Sequence, residues 1–439
     1  MAGVVPDRTP STQRNRVGAY YGTTSNDWGE VNSSQDIDTY YIPGANHAFI
    51  PGRVNYSFKF TARVLLLTAI NLAITSLKNR DCDTAITGGT NIMTNPDNFA
   101  GLDRGHFLSR TGNCKAFDDD ADGYCHADGI GTLILKYLPD AIADSDPIFG
   151  VILGAHTNHS AESVSITRPL ADAQEYLFKK LLNETGIYPH DVSYVEMHGT
   201  RTQAGDAVEM RSVLNSFAFD HSRPRDKSLY LGLVKANIGY TESASGVLAN
   251  AIIKVLLMMQ KNTIPPHCGI KTKINQGFPK DLDHRGVRIA QKDSVDWSRP
   301  ARGKRRVLVN NFSAASRNTS LLLEDSPAIH PVRQHQDGDT RTEYVVAISA
   351  RYTKALEENL KALEAFIANS WAPEGELLSQ LSYTTTVRCV HHNRRVAFVT
   401  NGLDDLRKSL LNAAVTAGQV KGIPALSPKV GFLFTGQGA

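Results

Sequence analysis

The segment VEMHGTRTQAGDAVEM, residues 195–210, is the most informative stretch of the sequence. A β-rich run ends at His198 and Gly199, and Gly205 and Asp206 then begin a helix, with the aspartate near its positive end. An imidazole at the mouth of a strand is a usual place for chemistry in α/β folds. His198 therefore fits a general acid or base, a hydrogen-bond donor to a developing oxyanion, or a purely structural histidine.

The segment LVKANIGYTESASG, residues 233–246, is the second informative stretch. Lys235 follows a predicted strand, and the small residues between Gly239 and Gly246 allow close backbone packing before the next helix. A helix start is a sufficient explanation of these residues when they are considered alone.

Short β-rich runs alternate with helical runs up to about residue 325, which predicts an α/β fold. The predicted strands are residues 84–87, 131–136, 148–156, 192–195 and 307–311. The predicted helices are residues 170–182 and 246–260. A linker rich in Pro, His and Gln at 326–340 precedes a smaller unit. Its predicted elements are strands at 344–350 and 395–400 and helices at 354–369 and 403–414.

The acidic segment AFDDDADGYCHADGIG, residues 116–131, partly matches a calcium-binding loop. Its aspartates occupy the first, third and fifth positions, but Gly129 stands at the twelfth, where a bidentate glutamate is needed. Zinc is rejected as well, because no CxxC-like pair accompanies the nearby candidates His106, Cys114, Cys125 and His126. We therefore predict a surface turn rich in aspartate, with no metal.

The composition is that of an ordinary soluble protein: 41% of the 439 residues are hydrophobic, 21% are charged, and the net charge is +3. Such a small charge predicts neither a nucleic-acid nor a membrane partner, and the basic run at 299–306 is interpreted as a solvated loop. The five scattered cysteines argue against a disulfide framework. The first 13 residues have no apolar core long enough for a signal peptide, and the longest apolar stretch, 64–77, is too short to cross a membrane, so we expect a cytoplasmic protein.

Four segments, taken together and in this order, resemble the ketosynthase domain of fungal iterative non-reducing (type I) polyketide synthases. They are residues 88–129, 195–210, 233–246 and 307–325. The resemblance implies a thiolase-like, layered αβαβα fold for residues 1–325, incomplete because the N-terminal part of the domain is expected to be absent. It further implies an α/β linker at 326–430, the start of an acyltransferase domain at 431–439, and a homodimer.

The resemblance also implies decarboxylative Claisen condensation in the synthesis of aromatic polyketides. In the family, a cysteine at a helix start accepts the growing chain from the phosphopantetheine arm of an acyl carrier protein. Two histidines then assist decarboxylation of a malonyl thioester and stabilise the enolate. By position, His198 matches the first histidine, Lys235 the lysine upstream of the second, and Phe312 the phenylalanine near the acyl pocket. No cofactor is expected on this chain itself.

Departures from the family pattern predict that this chain does not condense acyl thioesters. Arg63 stands at the position of the nucleophilic cysteine, and Tyr240 replaces the second histidine. An arginine has no thiol and stays protonated, and a phenol, with a pKa of about 10, is a poor substitute for an imidazole. Bulky residues also replace glycines, at Arg201 and at Ser316 and Arg317.

The strand that precedes the nucleophile in the family is also expected to be missing, since Phe60 joins directly to Thr61. Loss of a central strand leaves unpaired backbone groups, which predicts poor stability. The clustering of changes at 61–70 suggests a local frameshift or a misplaced splice site.

Two other functions remain open. In one, another thiol, that of Cys82, Cys114 or Cys125, is the nucleophile of an active enzyme. In the other, the chain is a non-catalytic ketosynthase-like module that dimerises or docks an acyl carrier protein.

Overall fold

The computed structural model describes residues 4–23, 26–31, 37, 41–47, 49–61, 64–66, 69–112, 114–164, 168–199, 203–218, 228–242, 248–313, 317–327 and 341–423. Arg63, Arg201 and Ser316 lie outside these residues, as do the segment 431–439 and most of the linker predicted at 326–340. The backbone forms two compact units, Pro10–Ile329 and a smaller unit that joins Met1–Thr9 to His330–Ala439. Each unit has its own hydrophobic core.

The helices described in the larger unit are α1 Asp27–Val31, α2 Tyr41–Ala45, α3 Phe49–Phe58, α4 Ala69–Lys78, α5 Pro96–Arg104, α6 Leu138–Ala143, α7 Ala171–Thr185, α8 Gln203–Phe217, α9 Lys235–Ile238 and α10 Ala249–Lys261. One sheet has the order β2-β1-β3-β4. Its strands are β1 Val17–Gly22, β2 Val64–Leu66, β3 Thr84–Asn91 and β4 Gly129–Lys136. Strand β1 is parallel to both β2 and β3, and β4 is antiparallel to β3.

The second sheet of this unit has the order β5-β12-β11-β6-β7-β9. Its strands are β5 Gly150–His159, β6 Val192–Glu196, β7 Leu229–Gly232, β9 Val287–Arg288, β11 Arg306–Phe312 and β12 Arg317–Asp325. The strands β8 Thr263–Ile264 and β10 Val295–Asp296 form a separate short ladder. Strands β11, β6, β7 and β9 run parallel, whereas β12 is antiparallel to both of its neighbours.

Side-chain alternation along the strands divides this unit into layers. On β12, Leu321 and Leu323 pack with α4 and α10, whereas Leu322 packs with α7 and α8 on the opposite face. On β1, Tyr20 faces α4 and α10, while Tyr21 faces α3. Because side chains of a strand point alternately to the two faces of its sheet, α4 and α10 form a layer between the two sheets. The result is the five-layer αβαβα arrangement.

The segment around residue 64 differs from its prediction in two respects. A strand does lie beside β1 in this part of the chain: β2, which follows position 63 and does not precede it, pairs with Ala19, Tyr20 and Tyr21 of β1. The helix expected to start after Ala62 begins at Ala69 instead. The physical reason is that an apolar run with a β-branched residue favours an extended chain when it can add to a sheet. Strand β1 is therefore paired on both sides over these three residues, and the predicted open gap does not occur there.

The smaller unit is built on an antiparallel pair, β13 Tyr344–Ala350 and β14 Arg394–Thr400. Its helices are α11 Thr353–Ala368, α12 Glu374–Val387 and α13 Leu403–Val415. Leucines at helical spacing, such as Leu356 and Leu360 on α11 and Leu406 and Leu410 on α13, fill its core. None of the helices that the structure describes, in either unit, is both long and apolar enough to cross a membrane.

The acidic segment predicted to be a surface turn is partly buried, and Asp118 at its start is fully buried. Its carboxylate accepts hydrogen bonds from the Thr272 backbone N–H at 2.8 Å, the Thr272 hydroxyl at 2.6 Å, the Asp120 N–H at 2.8 Å, and the Lys271 N–H. Burial raises the pKa of Asp118, but the hydrogen bonds outweigh burial and lower the pKa to about 2. Asp118 thus connects this turn by hydrogen bonds to the segment at Thr272, more than 150 residues further along the chain.

We expect Asp118→Asn to destabilise the protein and to weaken the pH dependence of its stability. The native pKa of about 2 lies below the ordinary value of 3.8, so the stabilisation is present above pH 3.8 and is lost as the pH falls towards 2. A shift of this size corresponds to about 2 kcal/mol of unfolding free energy at neutral pH. Urea unfolding of both proteins across this pH range measures the effect.

Asp120→Asn is the matched control, because it changes an exposed carboxylate in the same turn. Equal unfolding free energies for Asp118→Asn and the unchanged protein at neutral pH would contradict the assignment.

Candidate functional site

His198 lies just beyond the carboxyl end of β6, and its backbone is fixed by a carboxylate on α8. One oxygen of Glu209 accepts the N–H of His198 at 2.8 Å, and the other accepts the N–H of Gly199 at 2.9 Å. Gly199 has φ of +59°, and a Cβ there would come within 2.7 Å of the Leu233 side chain. The positive φ favours glycine at this turn, and a side chain there would also have to displace the end of the Leu233 side chain.

Glu209 is buried, and burial raises the pKa of its carboxyl because the charged form is desolvated. The N–H groups of Gly199 and His198 and the Asn310 side chain oppose this shift, since they donate to the carboxylate, Asn310 at 3.2 Å. The side-chain amide oxygen of Asn310, Oδ1, in turn accepts a hydrogen bond from the Ser320 hydroxyl at 2.8 Å. His198 is thereby connected to α8, β11 and β12 through one buried group.

Lys235 contacts His198 from the start of α9. Its Nζ lies 2.8 Å from His198 Nδ1 and also donates to the His198 carbonyl oxygen. Both side chains are buried. An ammonium group has donors only, so Nδ1 accepts this bond, and the neutral ring carries its proton on Nε2. This contact therefore assigns the ring proton of His198 to Nε2, which is a hydrogen-bond donor.

A buried glutamate, Glu196, fixes the backbone of Val234, the residue before Lys235. Glu196 accepts the Val234 N–H with one oxygen, and the Tyr194 hydroxyl at 2.9 Å and the Lys254 ammonium at 2.8 Å with the other. Burial raises the pKa of the Tyr194 hydroxyl well above its ordinary value, and the neighbouring Glu196 charge adds to the shift. The end of β6 and the start of α9 are thus joined by charge-assisted bonds in the protein interior.

Tyr240 is held beside His198 by backbone hydrogen bonds to the acidic segment. Its N–H donates to the Cys125 carbonyl at 2.8 Å, and its carbonyl accepts the Ala127 N–H at 3.0 Å. Its ring meets the His198 ring edge-on, with centroids 6.3 Å apart, and the Lys235 Nζ lies 5.1 Å from its centroid. The phenol ring therefore lies against both polar side chains of the site.

The structure brings together four of the five residues that the sequence pointed to. The Phe312 ring packs 5.7 Å from the His198 ring and joins Lys235 and Tyr240 around it. The fifth residue, Arg63, lies outside the described residues. Sequence reasoning missed the carboxylates of Glu196 and Glu209 that hold this group, although Glu209 stands in the first quoted segment, one helical turn after Asp206.

The three alternative thiols have different surroundings. Cys82 is buried, and burial raises the pKa of its thiol, which lies 3.6 Å from the Tyr20 hydroxyl. The sulfur of Cys114, also buried, accepts the Cys125 N–H at 3.4 Å. Cys125 itself is half-buried and borders the site, because its carbonyl accepts the Tyr240 N–H. A raised thiol pKa disfavours the nucleophilic thiolate at Cys82.

Comparison with protein families gives two adjacent matches. Residues 1–141 match the N-terminal domain of β-ketoacyl synthases, and residues 149–271 match their C-terminal domain. Together these two matches cover more than half of the chain.

Full-length similarity connects the chain to fungal synthases. It is 89% identical to the bikaverin polyketide synthase of Gibberella fujikuroi over 447 residues, which is 100% of this chain and 22% of that protein. It is 62% identical to a non-reducing polyketide synthase of Aspergillus oryzae and 57% identical to the conidial yellow pigment polyketide synthase of Emericella nidulans, again over 100% of this chain and 21% and 20% of theirs. The chain thus spans about a fifth of these relatives.

Solved structures agree with the fold. The ketosynthase from module 6 of the bacillaene synthase of Bacillus subtilis, solved as a cysteine-to-serine mutant, is 28% identical, with a TM-score of 0.77 over 94% of this chain and 68% of that one. An oxazolomycin ketosynthase domain from Streptomyces albus is 27% identical, with a TM-score of 0.76 over 94% of this chain and 70% of that one. The chain belongs to the β-ketoacyl synthase family, corresponds to the ketosynthase region of fungal non-reducing polyketide synthases, and has their thiolase-like fold.

Proposed function

We propose that this chain is a ketosynthase region that binds acyl and malonyl thioesters but does not join them by Claisen condensation. One observation carries the proposal: no cysteine occurs in residues 61–81, the stretch that leads into α4 and contains it. By resemblance to the family, the nucleophile belongs at Arg63. Without a sulfur at this position, the growing acyl chain cannot be held on the protein as a thioester while the malonyl thioester loses carbon dioxide.

The polar groups that remain support binding of a thioester. The His198 ring carries its proton on Nε2, a hydrogen-bond donor, and the Lys235 ammonium lies beside it. Donors of this kind stabilise negative charge on a carbonyl oxygen whether or not a covalent intermediate forms. Tyr240 supplies a phenol where the family has a second imidazole, which removes one proton carrier from the condensation step.

The partners of this function follow from the family. The substrates would be malonyl and acyl groups on the phosphopantetheine arm of an acyl carrier protein, and the chain itself would carry no cofactor. We further propose a homodimer and a parent pathway that makes an aromatic polyketide. The family membership and the similarity to the bikaverin polyketide synthase support these partners.

We expect no acyl group to become covalently attached to this chain. After incubation of the whole protein with acetyl- and malonyl-charged carrier protein, intact-mass spectrometry should show the unmodified mass. The reason is that Arg63 has no thiol and that burial disfavours the thiolate of Cys82. A thioester adduct mapped to Cys82, Cys114 or Cys125 would contradict the proposal and favour an active enzyme with an alternative nucleophile.

Binding without acylation gives a second prediction. Lys235→Met should weaken binding of a non-hydrolysable acetyl-pantetheine amide about tenfold, because it removes a charged donor and the contact that sets the His198 tautomer. Isothermal titration of the whole chain measures this. Lys261→Met, at an exposed lysine that ends α10, is the control and should leave the affinity unchanged. Equal losses in both variants would contradict the role of Lys235.

We further propose that the altered segment arose from a local frameshift or a misplaced splice site. The alignment with the bikaverin synthase spans 447 positions, eight more than the 439 residues of this chain. The alignment therefore contains at least eight positions without a residue of this chain, and we propose that they fall at residues 61–70. Sequencing of the transcript across this region tests it, and an intact Thr-Ala-Cys-Ser run there would restore the active interpretation.

The docking module remains the second candidate function. The two family matches and the layered core support a folded ketosynthase surface that persists without the nucleophile. Co-purification with a carrier protein, in the absence of any acetyl-pantetheine binding, would favour docking over thioester binding.

A further inference from the structure

A second imidazole lies beside Tyr240 on a face that two neighbouring segments share. His126 is bridged to Tyr240 through the backbone, so Tyr124 and His126 on one segment face Tyr240 and Glu242 on the other. The Tyr124 ring lies 5.0 Å from the Tyr240 ring and 6.0 Å from the His126 ring. His126 Nε2 lies 3.1 Å from a carboxylate oxygen of Glu242. These four side chains form what we call the tyrosine–histidine face.

The His126 ring is buried with its hydrogen-bonding capacity unused by its neighbours. Its side chain is 5% exposed, and neither ring nitrogen has a hydrogen-bond partner among the residues that the structure describes. The Glu242 oxygen lies within hydrogen-bonding distance of His126 Nε2, but the direction of the N–H is not suitable for a hydrogen bond between them. Buried polar atoms are normally paired, so an imidazole left in this state indicates a bound group that supplies the missing partner.

Comparison with another buried histidine of the chain argues against a purely structural role. The His267 ring nitrogen Nε2 lies 2.9 Å from the Ala116 carbonyl, and the ring stacks on Phe117. Burial lowers the pKa of His267 to about 4, so it stays neutral. That ring is satisfied by the protein, whereas the His126 ring is not.

The position of the tyrosine–histidine face relates it to the proposed site. Tyr240 contacts His198 and Lys235 on one side and Tyr124 on the other, so a continuous row of rings joins His126 to His198. On its outer side, His126 packs 5.5 Å from the ring of Phe99, which is 38% exposed. The row of rings that begins at His198 therefore continues past His126 to a partly exposed side chain.

We propose that His126 is a second binding imidazole of this site and donates a hydrogen bond to the carbonyl oxygen of a bound acyl thioester. The inference rests on the proposed binding of thioesters. A neutral imidazole carries one N–H donor, and in His126 that donor has no acceptor among the residues that the structure describes, so it is available to a carbonyl oxygen. A metal is not the ligand we propose, since the described residues contain no group of three His, Cys, Asp or Glu side chains that could hold one.

The test combines binding with a direct observation of the ring. The whole chain, with ¹⁵N-labelled histidine, is titrated with acetyl-pantetheine amide, which keeps the carbonyl oxygen and resists hydrolysis. We expect the ring nitrogens of His126 to shift on saturation, and His126→Phe to weaken binding about three- to tenfold through the loss of one hydrogen bond. His106→Phe, at an exposed histidine that precedes the same segment, should leave the affinity unchanged.

The outcomes separate this inference from the proposed function. If His126→Phe binds as tightly as the unchanged protein while Lys235→Met binds more weakly, His126 is not a ligand-binding group and the proposed function stands. If the unchanged protein does not bind the amide, the proposed function fails and the inference fails with it. Should His126→Phe fold poorly, the shift of the His126 nitrogens in the unchanged protein decides, and its absence at saturation would overturn the inference.

Discussion

A single buried carboxylate, that of Glu209, fixes the backbone on which the rest of the site depends. It accepts the N–H groups of His198 and Gly199, the two residues with which the chain leaves β6. Those N–H groups face the protein interior, where an unpaired donor costs free energy, so the carboxylate and the turn stabilise each other. The direction of the His198 ring is set by this turn, and the contacts with Lys235, Tyr240 and Phe312 all follow from that direction.

The second constraint is the buried ion pair between Glu196 and Lys254, next to the site. Glu196 and Lys254 are paired in the interior, and Glu196 also receives the Val234 N–H next to Lys235. This pairing satisfies the Glu196 carboxylate away from the site, so Lys235 is left to bond with His198. An imidazole that receives an ammonium proton donor at Nδ1 remains neutral and presents Nε2–H. This arrangement is the basis of the proposal that the site donates hydrogen bonds to a thioester oxygen, a property that does not involve a thiol.

Local sequence patterns predict some elements of this fold well and others not at all. The strands that carry periodic apolar residues were predicted close to their observed bounds, as at 344–350, which coincides with β13. Strand β12 was missed because its polar first half gives no local signal, and its two antiparallel neighbours stabilise it. The buried state of Asp118 was missed for a similar reason, because its partners lie more than 150 residues away. The candidates His198, Lys235, Tyr240 and Phe312 came from motif resemblance, whereas the hydrogen bonds that fix them are tertiary.

The segment at 61–70 shows why a missing motif and a missing structural element are different matters. A sheet accepts any extended apolar run whose backbone can pair, so β2 forms beside β1 from residues unlike the family pattern. Chemistry is less tolerant, because a nucleophile requires one particular atom at one place. Substitution at this segment can therefore preserve the layered core and the hydrogen-bond donors of the site while it removes the covalent step alone. Retained fold and lost condensation are compatible for this physical reason, and the tyrosine–histidine face belongs to the part of the site that such a change leaves intact.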